Sequence, residues 1–173
     1  MDWYIINKEY VNFLHNIDSK VGLVEYGDKI KLHIGVLFAI NSIQYYVPVS
    51  SPKPKHYHMK NTRDFHKLID DNGKLYAVIN INNMIPVLDQ YATLLSYKDL
   101  IKYRKFDNDQ ELSDYVLLLQ IEKTIIDRDS KAIQEKALKL YENVKQYPKS
   151  SIAQRCCNFS LLEKEMHSYS SII

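Results

Sequence analysis

Ile30-Lys31-Leu32-His33-Ile34-Gly35-Val36-Leu37-Phe38-Ala39-Ile40-Asn41-Ser42-Ile43-Gln44-Tyr45-Tyr46-Val47-Pro48-Val49 is the stretch that decides the fold. Its first half, to Ile40, is dense in β-branched and apolar residues. Asn41-Ser42 has turn chemistry, and a second apolar run follows, so the segment predicts a β-hairpin. Pro48 lacks an N–H for a ladder, which predicts a sheet edge or a strand end there. Downstream, the turn Asp71-Asn72-Gly73 leads into a strand over Leu75 to Ile81. Residues Asn82 to Val87 continue it after a bend, with Pro86 limiting its pairing, and Tyr91 to Leu95 adds a short strand. Upstream, Tyr10, Phe13 and Leu14 have the spacing of one helical face.

From about residue 108 the pattern changes period. Apolar residues at 112, 115, 116, 118, 119, 121 and 125 predict a helix over Asp109 to Asp127, with Asp107 or Asn108 as N-cap. Asp127-Arg128-Asp129-Ser130 reads as an interruption. A second helix is expected over Ser130 to Tyr147, stopped by Pro148, and a short last one over Phe159 to Tyr169. The fold class is therefore α+β: a strongly bent antiparallel sheet surrounded by helices, with a helical C-terminal half.

With 173 residues, 46% hydrophobic and 25% charged, residues 1–173 are expected to form a single domain with a full core. Four glycines, with no GxGxxG and no GxxxxGK[ST], exclude Rossmann and P-loop cofactor chemistry. No run of eighteen apolar residues is present, so no membrane span is expected. Met1-Asp2-Trp3-Tyr4 has neither the basic nor the apolar region of a secretory signal. Cys156 and Cys157 are adjacent and cannot staple distant segments. A reduced, cytoplasmic protein is the expectation.

The net charge of +2 conceals a one-sided distribution. No Asp or Glu occurs from Lys29 to Arg63, where Lys29, Lys31, Lys53, Lys55, Lys60 and Arg63 carry a formal +6 and leave −4 for the rest. Such a block attracts polyanions, although a solvated basic face has the same composition. Tyr26, Tyr45, Tyr46 and Tyr57 lie in or beside it. Tyrosine suits both base stacking and strand packing.

The densest chemistry is Ser50-Ser51-Pro52-Lys53-Pro54-Lys55-His56-Tyr57-His58. Two hydroxyls end a strand, and two prolines stiffen a loop that presents two lysines. Hydroxyls donate to phosphate oxygens and ammonium groups neutralise charge developing on them. An anion site and a plain surface loop both fit these residues. His56 and His58 lack the further ligands a metal needs, so no metal and no cofactor is expected. His33, inside an apolar strand, reads as a satisfied core histidine.

The run Pro48-Val49-Ser50-Ser51-Pro52-Lys53 resembles the active-site segment of the ToxN/AbiQ family, the toxins of type III toxin–antitoxin systems. Asn80-Ile81-Asn82-Asn83-Met84-Ile85-Pro86 and Cys157-Asn158-Phe159-Ser160-Leu161-Leu162-Glu163 resemble two further family blocks. So do Tyr4, Tyr10, Phe13-Leu14, Asp18 and Val21, and the strand Ile34-Gly35-Val36. The resemblance implies a MazF/Kid-like bent sheet. It also implies a metal-independent endoribonuclease that cuts adenine-rich mRNA and its own repeat RNA precursor. A folded pseudoknot RNA antitoxin then inhibits it within a closed ring of toxin and RNA. By position the family's functional residues fall on Lys31, Ser50, Ser51 and Lys53, with Ser50 where some relatives have threonine. Tyr26 stands nearest to a functional tyrosine, one residue out of register.

On that resemblance the expected reaction is attack of the RNA 2′-OH on the adjacent phosphorus, giving a 2′,3′-cyclic phosphate and a 5′-OH. Lys53 and Ser51 would hold the phosphate oxygens, Lys31 would stabilise charge or move a proton, and Tyr26 would orient or stack on a base. His56 and His58 are further candidates for the general acid or for phosphate contacts. Lys29, Lys55, Lys60 and Arg63 would add RNA contacts. Two other readings share the composition: a non-catalytic RNA-binding module, and a protein–protein interaction domain with a solvated basic face.

Overall fold

Asn7 sets the first boundary. Its side chain accepts the Tyr10 N–H at 2.8 Å and caps helix α1 (Lys8–Ile17), which follows strand β1 (Asp2–Ile6). The chain continues through β2 (Glu25–Tyr26), β3 (Lys29–Ile30), β4 (His33–Gly35), β5 (Ala39–Ile40) and β6 (Ile43–Ser50) to a short helix, α2 (Pro54–His58). Strands β7 (Phe65–Ile69), β8 (Leu75–Asn80), β9 (Ile85–Val87) and β10 (Ala92–Leu94) follow. Helices α3 (Asp109–Gln146), α4 (Ser151–Arg155) and α5 (Phe159–Ser170) make the C-terminal half. This is a computed structural model; the residues it describes are 1–26 and 29–170, without the side chains of 25, 26, 29 and 170.

The predicted hairpin is β5–β6. Asn41 (φ 50°) and Ser42 (φ 66°) both take left-handed backbone, the conformation of a two-residue turn whose twist matches its strands. Among the described residues the main sheet has eight strands, paired antiparallel in the order β10-β1-β4-β6-β8-β7, with β5 and β9 also on β6. Strand β6 changes partners along its length. Its start pairs with β5 on one side and β9 on the other, and its end pairs with β4 and β8. The sheet is open, with β10 and β7 at its two ends.

Pro48 corrects one expectation. It lies in the most-paired strand, opposite His33, and not at an edge. The N–H groups of Tyr45 and Val49 bond Phe38 and Leu32 on the β5–β4 side. Strand alternation turns the Pro48 nitrogen the other way, into the gap between the end of β8, paired at Val49, and the start of β9, paired at Tyr46. No ladder bond is lost, so the proline is tolerated.

The expected break at residues 127–130 does not occur. Helix α3 runs unbroken for 38 residues. No proline or glycine lies within it, and its polar cluster bonds outward instead of to its own backbone. Asp127 takes the N-terminal ammonium at 2.8 Å, Arg128 donates to Asp71 at 2.8 Å and to the Ile69 carbonyl at 2.7 Å, and Asp129 meets His66 at 3.1 Å. Those bonds pin the helix to the sheet.

The core centres on β6, where Tyr45, Tyr46 and Val47 are buried beside Tyr10, Ile34 and Phe159. Tyr45 and Tyr141 both donate to Glu163, at 2.8 and 2.7 Å, and Lys145 closes the cluster at 2.8 Å. Gly35 is required by close approach, because a Cβ there would run into the Tyr46 ring. Tyr45 and Tyr46 are thus core residues, and Tyr57 is exposed. Both cysteines are fully buried free thiols; burial raises Cys156 to about 11 and Cys157 higher still.

Candidate active site

Strand β6 ends at Ser50, and the chain turns through Ser51 and Pro52 into α2. Pro54 at the first helical position fixes that turn. The Lys53 N–H donates to His56 Nδ1 at 3.0 Å, which fastens the lysine backbone to the helix it precedes. Residue 31 comes alongside because Val49 N–H donates to the Leu32 carbonyl at 3.0 Å, joining the first strands to the end of β6. The Lys31 ammonium therefore donates to Ser50 Oγ at 3.1 Å and points to the Val49 carbonyl at 3.4 Å.

Lys31, Ser50, Ser51 and Lys53 line one wall of a cleft of about 680 Å³. The opposite wall belongs to α3 and the segment before it, with Arg104, Tyr115, Leu118, Leu119 and Glu122; Trp3, Asn80 and Asn83 complete it. Trp3 is held against α3 by donation from Nε1 to the Leu119 carbonyl at 3.3 Å. Residues far apart in sequence thus form a cavity with one cationic, hydroxyl-rich side and one side that mixes rings and leucines with Arg104, Glu122 and two asparagines.

The electrostatics are uneven. Partial burial lowers the Lys31 pKa, and the Lys53 charge lowers it further. His33, behind Lys31, is pushed down to about 3 by burial and then by Lys31, so its ring is neutral. The core reading holds, with a hydrogen bond between the ring and the Lys31 backbone, but Nδ1 has no partner among the described residues, so the histidine is satisfied only in part. Glu122 moves the opposite way: burial raises it to about 8.

The remaining sequence-stretch candidates fall elsewhere. Lys55 and His58 are exposed on α2, and Lys60 and Arg63 are exposed on the loop after it, outside the cleft lining. His56 is buried against Phe65, with ring centroids 5.5 Å apart, and caps α2 through the Lys53 amide. Burial, followed by Lys55, Lys53 and Lys67, lowers its pKa. Tyr26 and Lys29 form the register pair of β2 and β3, and their side chains lie outside the described residues. Among the described residues no three His, Cys, Asp or Glu side chains converge, and no helix is long and apolar enough to cross a membrane. Arg104, Tyr115 and Glu122 were not singled out by the sequence. A glutamate on the apolar face of a helix, three residues after Leu119 and four before Ile126, was the signal that could have found the last of them.

The family model described as "Toxin ToxN, type III toxin-antitoxin system" matches residues 2–167. The chain is 28% identical over 172 residues to an endoribonuclease ToxN from Bacillus thuringiensis subsp. kurstaki, covering 96% of this chain and 83% of that protein. It is 27% identical to an endoribonuclease ToxN from Pectobacterium atrosepticum, covering 98% and 94%. It also resembles, with a TM-score of 0.81, 26% identity and coverage of 97% and 96%, a solved structure from work on selective inhibition of a type III toxin by a non-coding RNA pseudoknot.

Proposed function

The chain belongs to the family of ToxN toxins of type III toxin–antitoxin systems, and from that premise we propose that it is an endoribonuclease whose cleft cuts RNA by metal-independent transesterification. The observation that carries the reading is the convergence of Lys31, Ser50, Ser51 and Lys53 on one wall of a cleft large enough for a nucleotide. RNA brings its own nucleophile, so the wall has only to align the phosphate and handle charge and protons.

In this mechanism the phosphate oxygens sit between Lys53 and the Ser51 hydroxyl. The neutral amine of Lys31, whose lowered pKa makes that form more accessible, takes the 2′-OH proton. The 2′-oxygen bonds to phosphorus, the P–O5′ bond breaks, and the departing 5′-oxygen takes a proton from water. Ser50 orients the Lys31 amine through their 3.1 Å hydrogen bond. Lys55, His58, Lys60 and Arg63 extend the cationic surface beyond Lys53, where a longer RNA would track. A folded RNA antitoxin, like the pseudoknot described as inhibiting the toxin of the similar solved structure, would occupy the same groove in a toxin–RNA assembly, inside the cytoplasm.

Purified protein incubated with adenine-rich RNA in excess EDTA tests the reading. Products ending in 2′,3′-cyclic phosphate and 5′-OH are expected. Intact RNA would contradict an endoribonuclease, and 5′-phosphate ends would contradict attack by the 2′-OH.

A further inference from the structure

The carboxyl of Glu122 has no role in the phosphate chemistry, yet it lines the same cleft. The residue is only 6% exposed, and among the described residues its oxygens make no hydrogen bond or ion pair. The Glu122 oxygens are not among the buried polar atoms left without a partner, so they are reached from the cleft, while burial of the rest of the residue still disfavours the charged form. Nor does Arg104 serve as its counter-ion. That guanidinium is bonded to Glu111 at 2.8 Å and lies 4.3 Å over the Tyr115 ring and 4.9 Å over Phe106. The wall around Glu122 is therefore a ring, two leucines and a carboxyl facing open space.

We propose that Glu122 is a specificity residue that reads the edge of a nucleobase lying between α3 and the phosphate wall, choosing an edge with an amino group beside a ring-nitrogen acceptor. The inference rests on the proposed RNA-cutting activity and assigns part of its substrate selection. Adenine and cytosine carry such an edge. At neutral pH burial keeps the proton on Glu122, so it offers an O–H donor next to a C=O acceptor. The carbonyl accepts from the amino group and the O–H donates to the ring nitrogen. On the Watson–Crick edge guanine and uracil present a ring N–H where that donor points and an oxygen where the acceptor points, so they pair only if the carboxyl turns over and are disfavoured to that extent. Tyr115, Leu118 and Leu119 supply the ring and apolar surface on which a base lies flat. Lys31, Lys53, Arg104 and Tyr115 are the other charged or titratable groups facing this space.

The test uses the full chain and the four non-cleavable nucleoside 3′-monophosphates, with inorganic phosphate as control, titrated calorimetrically at about pH 6.5 and about pH 8.5, the higher value staying below the ionisation of the guanine and uracil ring N–H. Adenosine or cytidine 3′-monophosphate should bind about tenfold more tightly than the guanosine and uridine compounds at the lower pH. Comparison of the adenosine and cytidine titrations decides which base the cleft holds. Glu122→Ala should erase the preference and leave inorganic phosphate binding unchanged. In the wild type the adenosine-to-guanosine ratio should fall at the higher pH, where the ionised carboxylate can no longer donate. In Glu122→Gln, which keeps a donor and an acceptor without titrating, the ratio should persist at both. Losses of lysine charge affect all four compounds alike and cancel in that ratio. A base preference unchanged in Glu122→Ala, or a wild type with no preference, overturns the inference while cyclic-phosphate cleavage still stands. If no nucleotide binds and RNA stays intact, the proposed activity fails too. Should Glu122→Ala not fold, the pH independence of the Glu122→Gln ratio decides alone.

Discussion

The two walls of the cleft are built by different rules. The phosphate wall comes from a strand end and a proline-braced corner, where Ser50, Ser51 and Lys53 are near neighbours in sequence and only Lys31 arrives from elsewhere. The α3 wall is one face of a 38-residue helix, and its polar residues are hidden among the apolar positions that hold the helix down. The first wall gathers cations and hydroxyls; the second sets a ring and leucines beside Arg104 and Glu122. A contiguous motif advertises chemistry, whereas a helix face conceals it.

The largest effect should come from the phosphate wall. Ser51→Ala is expected to lower single-turnover RNA cleavage about 100- to 1000-fold with RNA binding retained, the usual cost of removing one preorganised donor. Cleavage at the wild-type rate would remove Ser51 from the mechanism.

The structural seam between the walls comes next. Gly35→Ala should destabilise the fold by about 2 kcal/mol or more, because its methyl group must displace the buried Tyr46 ring. Chemical denaturation measures this, and an unchanged midpoint would mean that the ring yields freely.

The α3 wall should reveal itself through pH. Glu122 holds its proton to about 8 in the fold and releases it near 4.5 in the unfolded chain. Between those values the native state binds the extra proton, so this group lowers stability as pH rises, by at most about 1.4 kcal/mol per unit. Below about 4.5 it contributes no slope. Glu122→Gln should flatten the decline over that window in urea unfolding; parallel pH profiles would mean that the carboxyl is not buried.

The smallest effects belong to the exposed cations. Changing Lys55, Lys60 or Arg63 singly to Ala should reduce the log–log salt slope of RNA binding by roughly 0.7 to 0.9 per lost phosphate contact. No change in slope would place that residue off the RNA path.

The same contrast explains what could be read from sequence. The hairpin was legible because Asn41-Ser42 supplies both left-handed residues between two apolar runs, and α1 was legible from the spacing of Tyr10, Phe13 and Leu14. The continuity of α3 was not, since Asp127 to Ser130 has breaker-like composition and only tertiary partners such as Asp71, the Ile69 carbonyl and His66 reveal why it stays helical. Pro48 misled for a related reason: local chemistry forbids a ladder bond, and only topology shows that none was due there. In the site, Lys31, Ser50, Ser51 and Lys53 were legible and converge. His56 looked chemical in the linear sequence and turns out to bind the Lys53 amide. Glu122 was overlooked because a carboxylate in a helical heptad reads as solvated until the fold buries it.

The central claim is that Lys31 and Ser51 act in one transesterification, Lys31 on the 2′-OH and Ser51 on the phosphate it attacks. A double-mutant cycle of Lys31→Ala and Ser51→Ala, read by single-turnover cleavage, tests it most directly. The two groups acting as a unit predict a double variant little slower than the slower single one. Losses that multiply in full would mean that the two residues serve separate sites.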